Sequence, residues 1–90
     1  MFLYTFFFDF RGGTYISQVY ARTYYDAPVI WAREMDCSGI PKAGENFKNE
    51  LLSEIEVEKP VAIDGLIRTW CLSPIIANEV AMVHFTQTAE

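Results

Sequence analysis

Ninety residues, 51% of them apolar and 16% aromatic, suffice for one hydrophobic core and leave no room for a second, so residues 1–90 are read as a single domain. Twelve acidic against seven basic side chains give a formal charge of −5, which lacks the electrostatic footprint of phosphate-backbone binding and argues against a nucleic-acid partner. Cys37 and Cys71 are the only cysteines and form no C-x-x-C pair, so neither a disulfide framework nor a zinc site is indicated.

Residues 2–10 (FLYTFFFDF) and 14–21 (TYISQVYA) are rich in aromatic and β-branched side chains and flank Arg11, Gly12 and Gly13. A Gly-Gly loop accommodates the positive φ angles of a tight primed turn, which predicts a β-hairpin. With Gly12 and Gly13 as the loop, Phe8 would face Ser17, Phe6 would face Val19 and Tyr4 would face Ala21. One face would then carry Phe2, Tyr4, Phe6, Phe8, Phe10, Tyr15 and Val19, with Ser17 and Ala21 making room for the rings. The run at 2–10 has no basic leader, contains Asp9 and is too short to span a bilayer, so neither a signal peptide nor membrane association is expected. A reducing cytoplasm with both thiols free is the expected setting.

Tyr24, Ala27, Trp31 and Met35 share one helical stripe. Because proline fits only the first helical turn, Pro28 favours a cap at Asp26 and a helix start at Ala27 over the alternative of a cap at Thr23 and a bent helix, with the end near Asp36. Residues 37–44 form a connector punctuated by Gly39, Pro41 and Gly44. A second helix is predicted over 45–56, its apolar stripe formed by Phe47, Leu51, Leu52 and Ile55. Glu45, Glu50, Glu54, Glu56 and Glu58 stand against the single base Lys48 in this stretch and read as a solvated face.

After Pro60, Asp64-Gly65 supplies a turn, and residues 61–63 are a candidate extra strand because Asp-Gly between apolar runs is also a hairpin signal. The final hairpin pairs residues 67–76 with 79–88 across a turn at Ala77-Asn78. Trp70 then faces Phe85, Leu72 faces Val83, Cys71 faces His84 and Thr69 faces Thr86. Pro74 cannot donate to a ladder, which assigns its strand to an edge. The fold expected is α+β, a two-layer β-β-α-α-β-β sandwich. Its four-stranded antiparallel sheet runs in the order 2-1-4-3, with both helices on one face. Phe6, Phe8, Trp31, Leu51, Ile55, Trp70 and Phe85 are the expected common core.

No phosphate-binding loop, dinucleotide fingerprint, zinc-protease, nucleophile-elbow or Ca²⁺-loop pattern occurs. One histidine and two dispersed cysteines supply too few ligands for a metal site, and no cofactor is indicated. The one enzymatic constellation is Cys71 opposite His84, since an imidazole across a strand pair is close enough to activate a thiol. An ordinary cross-strand pair on an amphipathic sheet is the preferred reading, because no oxyanion donors, positioned base or pocket are evident. Nothing in the spacing brings Asp9, Glu34 and Asp64 together.

Gly12, Gly13, Thr14, Tyr15, Ile16 and Ser17, followed by a helix carrying Ala27 and Trp31, resemble the β-β-α start of HicB-type antitoxin domains. No Pro-Gly-Cys-like segment follows the second strand and no DNA-binding tail follows the last hairpin, so the resemblance assigns no residue a role. The function expected is that of a small non-enzymatic interaction or regulatory module of bacterial type, acting as a homodimer or on another protein. Its contact surface would be the sheet face the helices leave open, through Phe7, Ile16, Tyr20, Ile67 and Met82. The rival readings are a small-molecule site lined by Tyr4, Tyr15, Trp31 and Trp70, and a thiol enzyme built on Cys71 and His84.

Overall fold

A computed structural model describes residues 1–41 and 43–89; Lys42, within the expected connector, and Glu90 lie outside them. The elements in chain order are β1 (Phe2–Phe10), β2 (Gly13–Ala21), α1 (Ala27–Glu34), α2 (Phe47–Val57), β3 (Val61–Ala62), β4 (Thr69–Leu72), β5 (Ile75–Ile76), β6 (Glu79–Val80) and β7 (Met82–Thr88). The main sheet is antiparallel and runs β2-β1-β7-β4-β3. It therefore has five strands where four were expected, and Val61–Ala62 takes the edge assigned to the Pro74 strand. Asp64 and Gly65, with φ +84° at the glycine, turn β3 back onto β4.

The first hairpin corrects the expected register. Phe8 pairs with Tyr15, Phe6 with Ser17, Tyr4 with Val19 and Phe10 with Gly13, so the loop is Arg11-Gly12, whose φ angles are +50° and +79°. Gly13 is spent on packing instead. A Cβ there would lie 2.5 Å from the Tyr15 hydroxyl, because the tyrosine ring lies back over the glycine. The displacement is two residues, which preserves the side-chain parity of both strands, and Tyr4, Phe6, Phe8, Phe10, Val19 and Ala21 are all buried on the helix side. Phe2, at the strand end, is half exposed.

The last hairpin has the expected pairs Thr69–Thr86, Trp70–Phe85, Cys71–His84 and Leu72–Val83. Its turn residues Ala77 and Asn78 take φ +52° and +63°, a primed turn without glycine. Both strands are shorter than expected. Arg68 at φ +53° starts β4 at Thr69 rather than at residue 67, and Pro74 splits the far end into the separate β5–β6 ribbon.

Helix α1 begins behind Asp26 with Pro28 in its first turn, where a missing N–H leaves no intrahelical bond unmade. Thr23 Oγ1 accepts from the Asp26 N–H at 3.2 Å. Trp31 drops from α1 onto the sheet, stacking on Phe6 at 4.9 Å with a 3° interplanar angle, while its indole N–H donates to Ser17 Oγ at 3.0 Å. Phe6 stacks in turn on Phe85 at 4.5 Å, Phe85 on Trp70 at 5.2 Å, and Trp70 on Tyr24 at 4.6 Å. Trp70 is only half buried, so of the expected common core it alone lies at the rim, roofed by Tyr24. From α2, Phe47, Leu51 and Ile55 are buried beneath the same layer.

The acidic run of α2 is only in part a solvated face: Glu45, Glu50 and Glu56 are exposed, but three of its carboxylates also hold the neighbouring backbone. Glu50, Glu54 and the cap residue Glu58 accept the backbone N–H groups of Ala77, Ile75 and Ser73 at 2.9, 3.0 and 2.7 Å. These three donors are the outward-pointing ones along the β4–β5 edge beyond the reach of β3. Carboxylates at every fourth helical residue, all on one face, thus substitute for a neighbouring strand. Arg11 and Glu79 tie the two hairpin tips together at 2.6 Å.

Two outcomes are expected in denaturant unfolding. Phe6→Ala should cost about 3–5 kcal/mol, and Trp70→Ala about half as much because its site is partly open and collapses more readily; equal losses would contradict the stacking order. Glu54→Ala should cost about 1 kcal/mol, and Glu54→Gln, whose amide oxygen still accepts, should recover most of it.

Candidate functional site

The sheet face away from the helices is organised in rows by the strand register. Ile16, Phe7, His84, Cys71 and Val61 are successive cross-strand partners and make one row across all five strands. Beside it runs a polar row, Gln18, Thr5, Thr86 and Thr69, bound by Gln18 Nε2 to Thr5 Oγ1 at 3.0 Å and by Thr69 to Thr86 at 3.2 Å. Thr14, Asp9 and Met82 flank the first row, and Tyr20, Leu3 and Thr88 flank the second.

Of the residues expected to make contacts here, Ile16 is 62% exposed, Tyr20 51%, and Phe7 and Met82 37% each. They occupy three adjacent strands. Ile67 is separated from them: it lies in the bend before β4, cut off from the ladder by the left-handed Arg68. Val61 was missed by sequence reasoning. It is exposed, and its pairing with Cys71 extends the apolar row to the far edge. The alternation of residues 61–63 held the only signal for it.

Cys71 and His84 are opposed as expected. The bonds Gln87 N–H to Arg68 O and Ala81 N–H to Pro74 O set the alternation of the ladder, and Cys71–His84 falls on a non-hydrogen-bonded pair, where Cα atoms approach to about 4.5 Å. The row supplies only Phe7 and Val61 beside them, neither a donor to an oxyanion. Among the described residues no side-chain hydrogen bond joins the thiol to the imidazole, and no group of three metal-ligating side chains occurs.

The displaced titrations lie off this face. Burial, helped by the charge of Asp26, pushes the Tyr4 phenol up. Burial also raises the Cys37 thiol, against the pull of Lys48. Hydrogen bonds from Ser38 hold the Asp36 carboxyl down. The aromatic quartet of the small-molecule reading does not surround a common space: Tyr4 and Trp31 are buried against the core rings, Tyr4 meets Trp70 at 6.2 Å, and Tyr15 leans on Phe8. No helix among the described residues is long and apolar enough to cross a membrane.

Compared with known proteins, the chain matches no family model, no curated protein sequence and no solved structure.

Alkylation of the folded protein distinguishes a paired thiol from an activated one. In a Cys37→Ser background, His84→Ala should leave the rate at Cys71 within about twofold of its starting value at pH 7, whereas an imidazole-activated thiolate would slow by about tenfold or more.

Proposed function

We propose that this chain is a non-enzymatic interaction module that works as a homodimer through its open sheet face. The observation that carries the reading is the register itself, which gathers exposed Ile16, half-exposed Phe7 and exposed Val61 into one row, with Tyr20 and Met82 to either side. Apolar side chains aligned on a flat sheet lose water when a second flat surface covers them. A second copy is the simplest such surface, because a two-fold contact needs only one evolved patch. The threonine row suits the same contact. Its hydroxyls donate or accept as required, so two copies can meet there without an unmatched charge. Phe7 on β1, between β2 and the central β7, and Tyr20 on β2 are the anchors of this reading, aromatic rings being the usual source of binding energy at interface centres.

Sedimentation velocity between about 1 and 100 μM, the range in which interfaces of modest size associate, should show an assembly larger than one chain. Phe7→Lys, which sets a charge at the centre of the face, should reduce its mass by half without loss of folded signal. A strictly monomeric wild-type chain would reject the reading.

A further inference from the structure

The two margins of the sheet are treated in opposite ways. On the β4–β5 side every second backbone N–H is occupied: β3 pairs with Cys71, and Glu58, Glu54 and Glu50 accept from Ser73, Ile75 and Ala77. On the other side lies β2, nine residues long, and among the described residues no strand pairs with its outer side. The closing pair of the hairpin, Phe10–Gly13, is hydrogen bonded in a two-residue primed turn, so alternation turns the N–H and C=O of Thr14, Ile16 and Gln18 outward. Among the described residues no protein group bonds these backbone atoms. Nor does β2 carry the usual deterrents to strand addition. GTYISQVYA contains no proline, no lysine and no charge of either sign. A cleft of about 210 Å³ opens between Ser17–Gln18 and Trp31, Glu34 and Met35 at the last turn of α1.

We infer that the β2 edge pairs antiparallel with the β2 edge of a second copy, about a two-fold axis at Ile16, to make one continuous sheet. Three observations select a second copy and this register. A two-fold perpendicular to the sheet keeps each face on its own side, so paired residue numbers must sum to an even value. Among such registers, the one centred on Ile16 matches Thr14 with the partner's Gln18 and Ile16 with its own counterpart. All three outward residues are used, giving about six backbone hydrogen bonds, two for each closely paired set. The same register covers Ile16, the most exposed apolar side chain of β2, sets bulky Tyr15 beside the partner's small Ser17, and runs the Ile16–Phe7 row unbroken through the axis. Finally, in a chain of net charge −5, β2 carries no charged side chain, so pairing two β2 edges sets no like charges directly opposite each other. Asp9, which accepts from Thr14 Oγ1, stands beside this strand and Glu34 lines the cleft, so association is best measured at about 0.5 M salt, where screening is effective within about 5 Å.

This contact differs from the face contact proposed above and shares with it only the choice of a second copy. Amide hydrogen exchange followed residue by residue separates them. At concentrations where the chain is assembled, the N–H groups of Ile16 and Gln18 should be protected about 100-fold or more relative to dilute protein, and Phe7→Lys should leave that protection in place. A face contact alone pairs no backbone and leaves both amides exchanging at the same rate at all concentrations, which would overturn the edge pairing. A chain N-methylated at Ile16, assembled by ligation at Cys37, loses one outward donor and keeps every side chain. Its sedimenting mass should fall to half that of the wild type at equal concentration. An unchanged mass would overturn the pairing, and a wild type monomeric throughout would overturn both contacts.

Discussion

Phe6 is the residue on which the two layers meet. It sits on the central pair of strands with Trp31 on one side and Phe85 on the other, all three rings nearly parallel and fully enclosed. The stack continues through Trp70 to Tyr24, so the chain leaves β2, lays Tyr24 on one end of the row, turns into α1 and returns Trp31 to the other end. The entry and the body of α1 are thereby fixed by the same line of rings. Offset and stacked aromatic pairs contribute about 0.5–1.5 kcal/mol each beyond the area they bury, and the larger effect is geometric: a helix of eight residues is too short to be stable by itself and takes its position from the tryptophan it carries.

What could be read in advance follows what is periodic. Side-chain parity in β1, β2, β4 and β7, the start of α1 behind Asp26 and the buried stripe of α2 all repeat with the element that bears them, and each agrees with the folded chain. The register of the final hairpin, though not the extent of its strands, was legible to the residue because Ala77-Asn78 had no competitor as its turn. The first hairpin offered three candidate turn residues, and the choice among them depended on Tyr15 needing bare backbone beneath its ring at Gly13. That demand belongs to a side chain two positions away and leaves no mark on local propensity. The start of β4 was obscured for a similar reason, since nothing in an Ile-Arg-Thr run announces a left-handed arginine.

The open face was legible as a surface and less so as a pattern. Alternation separated Phe7, Ile16, Tyr20 and Met82 from the core, yet their division into an apolar row and a threonine row depends on register across five strands, and Val61 joins the row only through a two-residue strand. The margins were the least visible. Which backbone groups point away from β2 depends on whether the loop closes at Gly13 or Thr14, and the destination of Glu50, Glu54 and Glu58 depends on which strand lies under α2. Their spacing by fours was in plain view, but a stripe of glutamates on a helix is most often only a stripe of glutamates.

That stripe works as a vernier. Four helical residues advance about 6.0 Å and two strand residues about 6.6–6.8 Å, so each carboxylate falls short of its amide by well under one ångström more than the last. Over Glu50, Glu54 and Glu58 the accumulated difference is about 1.2–1.6 Å, within the play of a glutamate side chain. Further rungs would drift toward the midpoint between donors, where a carboxylate serves neither. A straight helix can therefore stand in for a strand only over a few residues, and the two-residue β3 begins where α2 has run its useful length. That only three such rungs are built is in this sense a consequence of the incommensurate rise of the two secondary structures.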